Sequence, residues 1–249
     1  MSAPLWTEHP LLAIDTETTG PDPTTARIVT ADVVHIDAAT GTFDARGYLA
    51  DPGVEIPEEA TAVHGITTSH ARENGMAAAD VVLLLLDDVE SAWRSGWPVV
   101  AFNASYDLTV IDRELRRHHG RGLEIAGPVL DPFVIDKAID RYRKGKRQLG
   151  AVCKEYGVTL ENAHTSAADA EAAGRLMLAI AGRYPKQVAE VSLRDLWTEQ
   201  RRAYREQAAS FEDYLRLKKR QDGEPEDAIA AVVIERDWPL RPYTEQVPA

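Results

Sequence analysis

The spacing of hydrophobic and polar positions changes several times along the chain, and each change marks an element. Leu11-Leu12-Ala13-Ile14 is an uninterrupted apolar run, which predicts a buried strand. Residues 26–37 are rich in β-branched side chains and residues 41–50 follow across an Ala-Ala-Thr-Gly turn, so the two predict a pair of hairpin strands. From residue 78 the pattern takes helical length and stops at Gly96. Residues 98–102 form a short apolar strand candidate. The helix predicted after it carries Leu108, Ile111 and Leu115 on one side and Gly120 as its stop. A further strand ends at Asp131 and leads into a helix with Pro132 in its first turn. A short helix ends at Gly157, and a long one closes before Pro185.

Three strands joined by short turns, then strands alternating with helices, predict an α/β domain with a mixed sheet over residues 1–185. Residues 186–249 read as a helical extension: one long helix capped by Ser192 and stopped at Gly223, then a candidate strand at 230–234. Trp197, Tyr204 and Phe211 recur at about the heptad interval, with Leu193 and Tyr214 near the same stripe. The stripe covers too few heptads to define a coiled coil, and packing back onto the sheet domain is expected ahead of self-association.

Composition narrows the class. The chain of 249 residues suits one large domain, or one domain with an appendage. No apolar run reaches the roughly 18 residues of a membrane span, and the N-terminus shows no basic segment ahead of an apolar one. The single cysteine, Cys153, excludes an internal disulfide and a cysteine metal cluster. A cytoplasmic protein with no membrane partner is expected. The net charge of −12 counts against a protein that coats duplex DNA, but not against an enzyme that grips one strand end through metal ions. The one dense basic stretch, Arg141, Arg143, Lys144, Lys146 and Arg147, reads either as a solvated loop or as a contact for backbone phosphate.

Four acids fall at the ends of predicted elements. Asp15 and Glu17, two apart at the end of the first strand, share a face. Asp107 lies in the first turn of the helix after the 98–102 strand, and Asp169 in the first turn of the last long helix of the domain. Singly, each is an ordinary strand-end or helix-first-turn acid. Together they would lie at the carboxyl ends of neighbouring parallel strands, where open α/β sheets build their sites. Four carboxylates converging there make an oxygen-rich site for a hard cation, and such a cation explains why Asp15 and Glu17 can share a face.

The stretches "DTETTG", "FNASYD" and "HTSAAD" resemble the three motifs of the DEDD 3′–5′ exonucleases, and "HGIT" resembles a further stretch of that group. His164, five residues before Asp169, has the spacing of the histidine subtype, to which the proofreading epsilon subunit of bacterial replicases, ribonuclease T and oligoribonuclease belong. The resemblance spans residues 11–184. It implies a ribonuclease H-like fold, a five-stranded mixed sheet flanked by helices, here with a long C-terminal helical extension. It implies two divalent ions, Mg²⁺ or Mn²⁺, held by Asp15, Glu17, Asp107 and Asp169, with His164 as general base. Thr18 matches a position that holds the terminal 3′-OH, Asn103 and Phe102 positions near the scissile nucleotide, and His64 and Ile66 the stretch that packs on the last bases. Two departures stand out: Tyr106 replaces the common Phe, and "HTSAAD" lacks the Arg of the "HRAL" type, which weakens the expected grip on phosphate.

The expected function is release of nucleoside 5′-monophosphates from DNA 3′ ends in proofreading or repair, with single-stranded or frayed DNA favoured. The alternative is the same chemistry on RNA, in trimming or short-oligonucleotide degradation. A rival of another class is a binding module on an exonuclease scaffold, its C-terminal helix docking a polymerase or a second copy. A phosphomonoesterase on the same acids is made less attractive by the "HGIT" stretch.

Overall fold

The structure, a computed structural model, describes residues 5–37, 39–160 and 165–245. In chain order its elements are β1 (Leu11–Thr18), β2 (Ile28–Asp37), β3 (Thr42–Asp51), α1 (Glu58–His64), α2 (Thr68–Asn74), β4 (Met76–Ala77), α3 (Ala78–Arg94) and β5 (Val99–Val100). After these come α4 (Ser105–His119), β6 (Val129–Leu130), α5 (Pro132–Ile139), α6 (Leu149–Tyr156), α7 (Ser166–Arg183), α8 (Leu193–Gln221) and α9 (Glu226–Ala230). The sheet has the order β4-β3-β2-β1-β5-β6. β1, β2 and β3 pair antiparallel, whereas β5 and β6 continue from β1 in parallel. The sheet thus has six strands rather than the five expected. The extra one is β4, two residues lying parallel to Ala50 and Asp51, too short to leave a strand pattern in the sequence.

The apolar run of β1 is buried on both faces because helices cover both. Leu12 and Ile14 point into a core shared with Leu85 and Val89 of α3 and Leu108 and Ile111 of α4. Leu11 and Ala13 point the other way, into a core with Leu176, Met177 and Ile180 of α7. Strand alternation assigns Asp15 and Glu17 to the α7 side and Thr16 to the α4 side. On the α7 side the contact is close. A β-carbon on Gly174 would fall 2.3 Å from Ile36 Cδ1 and 3.1 Å from Ala13 Cβ, so the helix backbone itself lies on the sheet.

The C-terminal extension packs back onto this domain. Its buried face is Leu196, Gln200, Ala203, Ala208 and Glu212, with Trp197 and Tyr204 of the aromatic stripe half-buried against the α3–α4 core. Gln200 accepts from the Asp131 N–H at 2.7 Å and donates to the Val129 carbonyl at 3.1 Å, which caps the exposed edge of β6. Gln207 donates to the Val134 carbonyl at 2.9 Å. Trp238 is buried in the α3–α4 core beside Trp197, ring centroids 5.0 Å apart. Arg113 of α4 donates to the carbonyls of Arg241 and Pro242. Phe211 and Tyr214 are left exposed. The strand expected at 230–234 is absent: α9 ends at Ala230, and the Ile234 N–H goes to Glu212 of α8 at 3.0 Å instead of to a ladder. Among the described residues no helix is long and apolar enough to cross a membrane.

Gln200→Leu keeps the volume and removes both partners of the β6 edge, leaving a buried N–H and a buried C=O unsatisfied. It is expected to cost about 2–4 kcal/mol, read as a lower urea midpoint at unchanged slope.

Candidate active site

Strand alternation and helix placement converge at the carboxyl end of β1. Asp15 and Glu17 project towards α7, whose first turn carries Asp169, and carboxylate oxygens of these three acids lie within 4.8 Å of one another. Asp107 is buried in the first turn of α4, on the other side of β1. Its Oδ1 accepts from the Thr16 N–H at 3.0 Å and the Thr16 hydroxyl at 2.8 Å, so one of its oxygens is engaged by the strand. The structure therefore brings three of the four predicted acids into one cluster and sets the fourth beside it.

Crowding shows in the protonation equilibria. Burial pushes Asp15 well above the usual carboxylate range, and the charges of Asp107, Asp169, Glu17 and Asp32 push in the same direction. Burial, then Asp169 and Asp107, raises Glu17 to about 7. Burial raises Asp107 to about 7 against the opposing hydrogen bonds from Thr16. Repulsion among like charges at this spacing is what a bound cation would relieve.

The Thr18 hydroxyl donates to the Gly20 carbonyl at 3.0 Å and also contacts the Tyr106 hydroxyl, which itself donates to Gly20. Tyr106, the departure from the common Phe, thus pins the turn after β1. Asn103 is exposed with φ +67°, a left-handed conformation. Asp131 holds that corner, accepting from the N–H groups of Asn103 at 2.9 Å and Ala104 at 3.0 Å while also capping α5. Phe102 beside it meets Phe133 edge-on at 5.6 Å. His64 ends α1, its Nδ1 accepting from the Ile66 N–H at 3.1 Å, and Ile66 packs on a small cluster with Val29 and Ile56. His164 lies outside the described residues.

Sequence reading missed Asp32. It stands opposite Asp15 in the β1–β2 register and accepts from the Ser166 hydroxyl at the start of α7. Thr30, opposite Glu17, contacts the same hydroxyl at 2.8 Å. The signal was an acid in the middle of an apolar strand. It also missed Asp131, visible only as an acid before Pro132.

Residues 12–177 match the RNase T family model, described as exonuclease. The chain belongs to this exonuclease family. It is 30% identical over 173 residues to the PolC-type DNA polymerase III of Streptococcus thermophilus, covering 68% of this chain and 11% of the polymerase. The corresponding polymerase of Lacticaseibacillus paracasei is 26% identical over 74% of this chain and 12% of its own length. The chain therefore spans about a tenth of the curated relatives it matches. Among solved structures, exonuclease I of E. coli in complex with a dT13 oligonucleotide superposes with a TM-score of 0.59 at 18% identity, over 72% of this chain and 42% of that one. Exonuclease I of Methylocaldum szegediense gives 0.57 at 20% identity, over 72% and 41%. At these identities the exonuclease I structures establish the shared fold.

The raised acids set a pH dependence. Folded Glu17 and Asp107 hold protons up to about pH 7 that the unfolded chain releases near pH 4, so the folded state binds more protons in that window. Metal-free protein should therefore lose thermal stability as pH rises from about 4 to about 7. Asp15→Asn removes one charge from the cluster; its melting temperature with EDTA should fall less across that window and lie above the parent's at the alkaline end.

Proposed function

We propose that the chain is a metal-dependent 3′–5′ exonuclease that shortens DNA from its 3′ end and releases nucleoside 5′-monophosphates, in proofreading or repair. The observation that carries the reading is the cluster of Asp15, Glu17 and Asp169 carboxylates within 4.8 Å, inside the segment matched by the exonuclease family. The donors are all carboxylate oxygens, which suits Mg²⁺ or Mn²⁺, and they are crowded enough to need a cation. Asp15, Glu17 and Asp169 would hold the metal, with Asp107 completing a pair of sites. Bound there, the divalent ions supply charge neutralisation at the phosphate and polarise the attacking water. The similarity to replicative polymerases and the DNA complex of E. coli exonuclease I favour DNA as substrate.

The chain's own residues divide the remaining work. His164 would take the proton from water as its oxygen attacks phosphorus and the bond to the 3′-oxygen of the preceding nucleotide breaks. That oxygen becomes the new 3′-OH of a strand shortened by one. Thr18, fixed by Tyr106 and Gly20, would meet the terminal 3′-OH. Asn103 and Phe102, held by Asp131 and Phe133, would face the scissile nucleotide, and His64 and Ile66 would pack on the last bases.

The test uses 5′-labelled single-stranded DNA, duplex DNA with a mismatched 3′ end, and single-stranded RNA, each with Mn²⁺. Shortening from the 3′ end that Asp15→Ala abolishes is the expected result, and RNA as the best substrate would move the assignment to an exoribonuclease. Failure to shorten any of the strands would overturn the reading in favour of a binding module. His164→Ala should lower turnover by about 10²–10⁴-fold with strand affinity unchanged; a loss confined to affinity would make it a positioning residue.

A further inference from the structure

Ring contacts lead from the site into a groove that the proposed chemistry leaves unused. Phe133, edge-on to Phe102, lies under the Lys137 ammonium, which is 4.7 Å from its ring centroid. Lys137 and Arg141 line a groove of about 430 Å³ between α5 and α8, whose α8 wall presents Phe211 and Tyr214. Those two rings are stacked, 6.4 Å between centroids and 16° between planes, and are 48% and 58% exposed. Exposed stacked aromatics are costly to leave in water without a use.

The cations at this groove are available. Arg143 and Arg147 turn inward onto Asp136, which is fully buried, so they hold the loop rather than face solvent. Arg202, on the α8 wall, is engaged by Glu199 at 2.6 Å and Glu206 at 2.7 Å. Lys137 and Arg141 make no salt bridge among the described residues. Two unpaired cations beside two stacked aromatic rings, on a chain of net charge −12, match the makeup of a single-strand platform, in which cations track phosphates and rings carry bases. A protein-docking patch would instead be depleted of charge at its centre.

We propose that the α5–α8 groove carries the single strand upstream of the terminal nucleotide, with Lys137 and Arg141 on its phosphates and Phe211 and Tyr214 under its bases. The direction of the strand rests on the exonuclease reading, in which Phe102 faces the scissile nucleotide and its ring contact with Phe133 leads on to Lys137 and the groove. Length dependence follows: a dinucleotide ends before the groove, whereas a longer strand reaches it.

The experiment compares the full chain with the triple variant R141A/F211A/Y214A on a dinucleotide and on a DNA strand of about 12 nucleotides. Steady-state rates with Mn²⁺ are measured alongside fluorescence anisotropy of the longer strand. The variant should melt like the parent, raise KM for the longer strand about tenfold at unchanged kcat, and leave dinucleotide hydrolysis unchanged. Arg141→Ala alone should reduce the slope of log affinity against log salt by about 0.7. Equal effects on both substrates, or none, would overturn the proposal. If the parent hydrolyses neither substrate, the exonuclease reading fails, and anisotropy still decides the groove: weaker strand binding by the variant supports it and unchanged binding overturns it. Sedimentation showing that the variant breaks a self-association without altering strand affinity would overturn it in favour of a protein contact.

Discussion

The backbone of α7 lies on β1 and β2 at Gly174, where a β-carbon would meet Ile36 Cδ1 at 2.3 Å, and that close approach carries Asp169 to Asp15 and Glu17. A larger residue at Gly174 would lift the helix and spread the acids. The start of the same helix is tied to β2 by Ser166, which bonds Asp32 and contacts Thr30, the partners of Asp15 and Glu17 across the sheet. Helix and strand are thus joined at two points on either side of Asp169. The cluster is held together by packing and hydrogen bonding against its own electrostatic repulsion.

That repulsion explains why the site is unfavourable as a purely structural feature. Glu17, pushed to about 7 by burial and by Asp169 and Asp107, and Asp107, pushed there chiefly by burial, withdraw stability from the folded chain at neutral pH, and a well-packed core tolerates such a cost where a ligand returns it. Asp107 shows a different solution. One of its oxygens accepts from the N–H and hydroxyl of Thr16, which oppose the upward push of burial. The corner at Asn103 is strained in the same economy: a left-handed non-glycine residue persists because Asp131 accepts both N–H groups of the turn.

The C-terminal chain belongs to this architecture more closely than an appendage would. Gln200 supplies the hydrogen bonds that a neighbouring strand would give to β6, and it binds the N–H of Asp131, the residue that braces Asn103. Trp238 fills the core on the α3–α4 side of the sheet. A change in α8 is therefore connected to the turn at Asn103 through Gln200 and Asp131 in succession.

How much of this was legible in the chain depends on whether the interaction is local. The run Leu11 to Ile14, the hairpin of β2 and β3, and the glycine stops at Gly120 and Gly157 were readable, because strand period and helix ending are encoded within a few residues. The candidate acids were readable too, since spacing along β1 and first-turn positions on α4 and α7 are local facts. The aromatic stripe on α8 divides, Trp197 and Tyr204 packing on the α3–α4 core as expected while Phe211 and Tyr214 stay in water, because the buried face was selected by what it meets: a strand edge wanting donors and acceptors took Gln200, and tight helix packing took Ala203 and Ala208. Asp32 against Ser166, Asp131 beneath Asn103 and the groove between α5 and α8 join residues far apart in the chain. The sequence by itself determined the main strands and helices of residues 11–183, their order and the chemistry of the acids. The tertiary structure alone decided which acids touch, which cations remain unpaired and which rings stay in water, because those depend on contacts between segments that no periodicity records.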